Sequence, residues 1–246
     1  YLFFLEGTSL YRANITDKND LTLISQNASS FELSESYIYY SELPNELIYK
    51  TSLSTNTDRV QITNTFPETP TAPTERLIVY DDDRIAFLNV KKNLFIYNKG
   101  VKDTYFKKLS PHAEGMQFSN DGKKILYWGT NEIYVYYLRD WETQPTNLED
   151  ESLNITRYLD PLKNVQWFKD YEHIIFSVGS QIKAVELDYR DNKNYIEIAK
   201  TSIADPFVVY NLTLERIFFT DQAESEEKNL NLYSIDFPEK NTLLGI

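Results

Sequence analysis

Asn164-Val165-Gln166-Trp167-Phe168-Lys169-Asp170-Tyr171-Glu172-His173-Ile174-Ile175-Phe176-Ser177, continuing through Ile182 to Leu187 and Tyr195 to Ala199, is the stretch whose reading decides the fold. Four short runs rich in β-branched and aromatic residues are divided by polar breaks at Lys169-Asp170-Tyr171-Glu172, at Gly179-Ser180 and at Asp188 to Asn194. Such runs read as strands and such breaks as turns. The preceding stretch has the same order: Gly115 to Phe118, then Ser119-Asn120-Asp121-Gly122, then Lys124 to Trp128, Glu132 to Leu138 and Leu153 to Tyr158. Its Asp121-Gly122 pair carries the chemistry of a two-residue hairpin turn, where glycine supplies a positive φ.

Working outward, the four-run unit recurs about every 40 residues. Arg76 to Tyr80, Arg84 to Asn89, Leu94 to Asn98 and Thr104 to Leu109 form one copy. Phe207 to Tyr210, Arg216 to Thr220, Leu230 to Ile235 and Thr242 to Leu244 form another. Ser30 to Leu33, Tyr37 to Ser41, Glu46 to Thr51 and Arg59 to Thr63 form an earlier one, and the opening supplies only Tyr1 to Leu5, Ser9 to Asn14 and Leu21 to Ile24. No stretch sustains a helical period. The expectation is an all-β fold, a β-propeller of about six four-stranded antiparallel blades with the first incomplete. One domain is expected over residues 1–246, with blades near 1–25, 30–64, 75–110, 113–159, 164–200 and 206–246. A β-sandwich also has short, regularly spaced strands, but it does not require one four-strand order at a fixed period. Tyr1 to Leu5 reads as a strand cut at its start, so an inner strand is expected from upstream.

Composition agrees. The 246 residues are 41% hydrophobic and 15% aromatic, with Tyr 19, Phe 14 and Met 1, enough to fill a packed all-β core. A formal net charge of -12 disfavours nucleic acid and anionic membrane surfaces. No apolar run approaches the roughly 20 residues of a membrane-spanning helix, and no basic residues precede the opening apolar run as in a signal peptide. Cysteine is absent, which removes disulfides, thiolate metal sites and cysteine nucleophiles.

Phe118-Ser119-Asn120-Asp121-Gly122-Lys123-Lys124-Ile125-Leu126-Tyr127 resembles the W-S-P-D-G-K-x-I-x-Y repeat of TolB-like, WD-repeat-like propellers, with Phe118 in place of tryptophan and Asn120 in place of proline. Trp167-Phe168-Lys169-Asp170 with His173 to Phe176 resembles a degenerate form found in bacterial envelope proteins that join such propellers to PEGA domains. The motif is a strand–turn–strand signature, so the resemblance implies a fold and only a broad function. Members of that group serve as interaction scaffolds, as sugar or peptide binders, and as propeller domains of serine peptidases. The location it implies is the cell envelope or the outside of the cell.

Chemistry-bearing patterns are few. Neither His112, after Pro111, nor His173, at a strand start, has a catalytic setting, and both read as structural. No nucleophile elbow, H-E-x-x-H, P-loop or Rossmann glycine pattern occurs. Asp81-Asp82-Asp83 lacks calcium-loop spacing and reads as a solvated turn, so no metal and no cofactor are expected. Asn14, Asn27, Asn154 and Asn211 open glycosylation sequons, about as many as chance supplies in so Asn-, Ser- and Thr-rich a chain. Attention falls on three long loops, since loops carry function on a rigid scaffold. By strand order, Thr65 to Glu75 and Asp221 to Asn229 lie on one rim and Arg139 to Ser152 on the other, and Thr65 to Glu75 and Arg139 to Ser152 read as dispensable to folding. Candidate binding residues are Trp141 with Glu149, Asp150 and Glu151, and Glu224, Glu226 and Glu227; the alternative for the acids is solvated loop charge. Tyr39-Tyr40 and Tyr136-Tyr137 are each expected to turn one ring outward; such rings and Trp141 could stack on sugar or anchor a protein, the first reading being that they pack on their own blade or on a neighbour.

The function expected is a non-enzymatic binding or scaffold propeller that engages a protein partner through its rim loops. Two alternatives stay open: a substrate-gating propeller in a larger hydrolase, and a carbohydrate-binding propeller.

Overall fold

The computed structural model describes residues 1–17, 19–54, 58–190, 194–222 and 229–237. Among them there is no helix, and hence none long and apolar enough to cross a membrane. The strands form six antiparallel sheets, each joined up-and-down to its sequence neighbours. Blade 1 holds β1 (Leu2–Glu6), β2 (Ser9–Ala13) and β3 (Leu21–Ser25). Blade 2 holds β4 (Ala28–Leu33), β5 (Tyr37–Glu42), β6 (Leu47–Ser52) and β7 (Val60–Gln61). Blade 3 holds β8 (Thr74–Asp81), β9 (Arg84–Asn89), β10 (Leu94–Lys99) and β11 (Thr104–Ser110). Blade 4 holds β12 (Gly115–Phe118), β13 (Lys124–Trp128), β14 (Glu132–Tyr137) and β15 (Ser152–Arg157). Blade 5 holds β16 (Leu162–Trp167), β17 (His173–Val178), β18 (Gln181–Glu186) and β19 (Tyr195–Lys200). Blade 6 holds β20 (Val208–Asn211), β21 (Arg216–Gln222) and β22 (Leu230–Asp236). The strand expected at Thr242 to Leu244 lies outside the described residues. Packing groups the chain into two compact units, 1–113 and 114–246, of three sheets each.

Core clusters form between successive sheets. In the first unit Leu10, Ala28, Ile38 and Tyr40 join blades 1 and 2, and Tyr39, Ile48, Leu77, Ile85, Phe87 and Phe95 join blades 2 and 3. In the second, Leu126, Val135, Trp167 and Phe176 belong to the cluster of blades 4 and 5, and Phe168, Ile175, Val208 and Phe219 to that of blades 5 and 6. Blades 2 and 5, each set between two of these clusters, have no water-facing side over most of their width. The expectation that Tyr39-Tyr40 and Tyr136-Tyr137 each turn a ring outward is corrected. All four are buried: Tyr40 lies in the cluster of blades 1 and 2, Tyr39 in that of blades 2 and 3, Tyr137 in that of blades 4 and 5, and Tyr136 sets its hydroxyl on Asp150 of its own blade.

Inner strands of the second unit are clasped side by side. Trp167, 3% exposed, donates its backbone N–H to Gln117 Oε1 at 3.1 Å and its indole N–H to the Gln117 carbonyl at 3.2 Å. One blade on, the Tyr210 N–H donates to Gln166 Oε1 at 2.8 Å, and Gln166 Nε2 donates to the Val208 carbonyl at 3.3 Å. Gln117 and Gln166 each precede the large aromatic of their strand, and Phe118, Trp167 and Tyr210 pair respectively with Ile125, Ile174 and Ile217. The same bond thus recurs at the same register.

The turns after these strands correct the two-residue hairpin expected at Asp121-Gly122. The backbone closes from Ser119 N–H to the Lys124 carbonyl at 2.9 Å, with Gly122 at φ 63 donating to the Ser119 carbonyl. Ser119 Oγ donates to Asp121 Oδ1 at 2.6 Å, and Asp121 also accepts the Lys123 N–H. Blade 5 repeats the design without glycine: Tyr171 takes the left-handed position at φ 54 and donates to the Phe168 carbonyl. Asp170 accepts the N–H groups of Glu172 and His173 and pairs with His173 Nδ1 at 2.7 Å. Burial disfavours a charged His173 ring, but the Asp170 hydrogen bond and charge, with Glu186 and Glu172 beyond, raise its pKa overall. Gly115, at the head of β12, is required by a close approach: a Cβ there would lie 2.2 Å from an indole carbon of Trp128.

Removing the Trp167 side chain leaves a cavity between two blades and takes away the indole's bond to the Gln117 carbonyl, so Trp167→Ala is expected to lose about 3–5 kcal/mol in urea unfolding. A variant melting within a few degrees of the parent contradicts the wedge. Gln166→Ala strands the Tyr210 N–H and is expected to cost about 1–3 kcal/mol; a neutral result contradicts the clasp.

Candidate binding cleft

Two turns that join a first strand to a second, Ser34-Glu35-Ser36 after β4 and Asp82-Asp83 after β8, lie at the same end of blades 2 and 3. Between them opens a cleft of about 800 Å3, lined by residues 33–37 and 80–83 with Tyr39 and Lys50. The first turn is a tight hairpin, the Ser34 N–H meeting the Tyr37 carbonyl at 2.8 Å and the Tyr37 N–H meeting Ser34 Oγ. In the second, Asp81 Oδ1 accepts the Asp83 N–H at 3.1 Å.

The turn is solvated, and each aspartate of the run also meets a different basic group. Asp81 pairs with Arg84. Asp83 lies 3.3 Å from Lys99. Asp82 reaches into the cleft, where Tyr39 Oη donates to Oδ1 at 2.7 Å and Lys50 Nζ to Oδ2 at 2.5 Å. Partial burial pushes the Asp82 pKa up, yet the hydrogen bonds of Lys50 and Tyr39 and the charges of Lys50 and Lys99 together hold it below 3.8. Burial, then the hydrogen bond and charge of Asp82, raise the Tyr39 phenol. Lys50 Nζ also stands 4.3 Å from the Tyr37 ring centre, and the Arg84 guanidinium 4.2 Å from that of Tyr80. Cations thus already sit on both tyrosines that flank the opening, and both rings remain exposed, at 36% for Tyr37 and 38% for Tyr80.

The residues singled out from the sequence lie elsewhere. Trp141 is half-buried against the core cluster of blades 4 and 5, with Lys124 Nζ 3.7 Å from its ring centre, and its backbone pairs with Asn147. Lys124 is 1% exposed, and burial lowers its pKa against the pull of Asp121, Glu172 and Asp170. Asp150 takes a positive φ of 76 and accepts the Tyr136 hydroxyl at 2.6 Å. The Glu149 N–H donates to Asp140, and Glu151 Oε2 accepts the Leu148 N–H at 2.7 Å. The 139–152 loop is therefore stitched to its blade. So is the 65–75 loop, whose Phe66 ring meets Phe95 at 4.8 Å and Phe106 at 4.9 Å between centres. Both loops thus pack on their own blades rather than standing free of them. Glu224, Glu226 and Glu227 lie outside the described residues. His112 is exposed, its N–H on Ser110 Oγ. Among the described residues no three acidic or histidine side chains are grouped to hold a metal ion.

No family model and no curated protein matches this sequence. Solved structures do match. Kluyveromyces lactis Hsv2 superposes with a TM-score of 0.57 at 12% identity, over 98% of this chain and 71% of that one. The β-propeller domain of Myceliophteria thermophila Cps50 (Swd1) gives 0.54 at 10% identity, over 93% and 78%. The fold is a β-propeller. A Lactobacillus plantarum protein gives 0.50 at 13% identity, over 95% of this chain and 76% of its own. At these identities the propeller likeness carries the architecture and nothing of the ligand.

Lys50→Met removes the main support of ionised Asp82. A carboxylate whose folded pKa is depressed stabilises above its unfolded value, near 3.8 here, and loses that contribution as pH falls through the folded pKa. Carboxyl NMR titration is expected to show the Asp82 pKa rising in Lys50→Met, with stability between neutral and acid pH varying less steeply than in the parent. An unmoved Asp82 titration contradicts the ion pair.

Proposed function

We propose that this chain is a non-enzymatic binding or scaffold propeller that engages a protein partner at the rim end of blades 2 and 3. The observation that carries this reading is the open cleft, with two exposed tyrosines over a fixed Asp82–Lys50–Tyr39 network. Exposed aromatic rings on a rigid frame give large contact area at small entropic cost, which is how interface anchors work. The frame is rigid because each side chain of the network is held by a partner on another strand. In the second unit, Glu149 and Glu151 at the base of the 139–152 loop offer a further contact, while Trp141 and Asp150 serve the blade itself.

Two features support narrower readings. The likeness of residues 118–127 to the TolB-type repeat, and of residues 167–170 and 173–176 to its degenerate form in PEGA-linked envelope proteins, supports a place at the cell envelope or outside the cell, and a PEGA-linked architecture. The exposed faces of Tyr37 and Tyr80 also suit a sugar ring, which keeps carbohydrate as an alternative reading.

Tyr37→Ala combined with Tyr80→Ala tests the proposal. With the parent chain as bait and partners identified by mass spectrometry, the double variant is expected to keep its melting temperature and to recover the partner about tenfold less or worse. Undiminished recovery places the binding face elsewhere, and co-purification of a hydrolase whose specificity the chain alters replaces scaffold by substrate gating.

A further inference from the structure

We infer that the cleft between blades 2 and 3 takes a cationic segment of the partner, an extended stretch bearing arginine or lysine side chains. The inference rests on the rim-binding reading and adds the chemistry of what is bound.

Charge complementarity is the first support. The lining carries four carboxylates, Glu35, Asp81, Asp82 and Asp83. Lys50, Arg84 and Lys99 pair one-to-one with the three aspartates, which leaves one net negative charge, carried by Glu35. Glu35, exposed at the tip of its turn, has no basic partner among the described residues. The cleft therefore faces outward with excess negative charge, on a chain whose formal net charge of -12 draws cations from a distance. The second support is the way the tyrosines are already used. Lys50 over Tyr37 and Arg84 over Tyr80 are intramolecular examples of the contact an incoming guanidinium would make, on rings that are still over a third exposed. Separated carboxylates flanked by aromatic faces suit a planar, multi-donor cation better than a compact metal ion, which needs its oxygen ligands converged on one point. A neutral sugar would gain little from carboxylates that already hold hydrogen bonds, and an anionic ligand would be repelled.

Calorimetric titration of the full chain with four hexameric probes decides the matter: an Arg-Gly repeat peptide, its Gln-Gly and Glu-Gly counterparts, and a neutral hexasaccharide. The arginine peptide is expected to bind, the glutamine peptide at least about tenfold more weakly, and the other two not measurably. Raising the salt several-fold is expected to weaken the arginine peptide as the Debye length shrinks. Glu35→Lys and Tyr37→Ala, both at exposed positions, are each expected to weaken it about fivefold to tenfold without lowering the melting temperature. Equal binding of the glutamine or glutamate peptide, or of the hexasaccharide, lost in Tyr37→Ala, overturns the cationic inference and leaves the cleft as a binding site. Binding of the arginine peptide unchanged in both variants overturns the location. A folded chain on which no probe shows Tyr37-dependent binding overturns the inference, and the bait experiment then says separately whether the rim reading survives.

Discussion

A blade of four strands is too thin to shelter both of its faces, and everything else in this protein follows from how successive blades cover one another. The most specific expression of that dependence is the glutamine clasp. The inner strand of a blade has a free edge, with backbone N–H groups that no strand of its own sheet can satisfy. Gln117 and Gln166 reach across and accept the N–H groups of Trp167 and Tyr210, at the positions where the aromatic wedges enter the next interface. Hydrophobic burial between blades is non-directional and would tolerate sliding. The paired amide bonds fix which residue stands opposite which, so register comes from hydrogen bonding and cohesion from the aromatic and branched side chains.

Fixed blades leave the turns at their ends precisely spaced without needing to be stiff themselves, and the candidate cleft exploits that. Tyr39 and Lys50 rise from the middle strands of blade 2, Asp82 comes from the first turn of blade 3, and the three converge because Ile48, Leu77 and Phe87 lock the two sheets beneath them. The Asp82 carboxylate is partly solvated, so the pair itself contributes little stability. It holds the floor of the cleft in one arrangement while Tyr37 and Tyr80 stay exposed.

Much of the fold was legible. The four-strand order at a fixed period located the strands among the described residues to within a few positions, because strand, turn and strand each leave a local mark in composition. Trp167 was legible as a wedge because the repeat places a large aromatic there. The clasp was not: a glutamine on a strand reads as the polar half of an alternating pattern, and nothing local says that it faces another blade. The same blindness turned Tyr39-Tyr40 and Tyr136-Tyr137 outward, since alternation presumes one wet face. Trp141 looked exposed because Lys124 and the core that cover it come from other strands. The cleft was hidden for a like reason, being assembled from residues 33–37 and 80–83, which only the packing of two blades brings together.

Amide hydrogen exchange at the free inner edges tests the central claim most directly. If the clasp holds the blades in register, the amides of Trp167 and Tyr210 exchange as slowly as that of Ile175 in the middle of blade 5, and Gln117→Ala releases Trp167 while leaving Tyr210 protected. Fast exchange at both in the parent chain, at the rate of an outer-strand residue such as Tyr195, would contradict it, and would mean that hydrophobic contact alone sets the order of the blades.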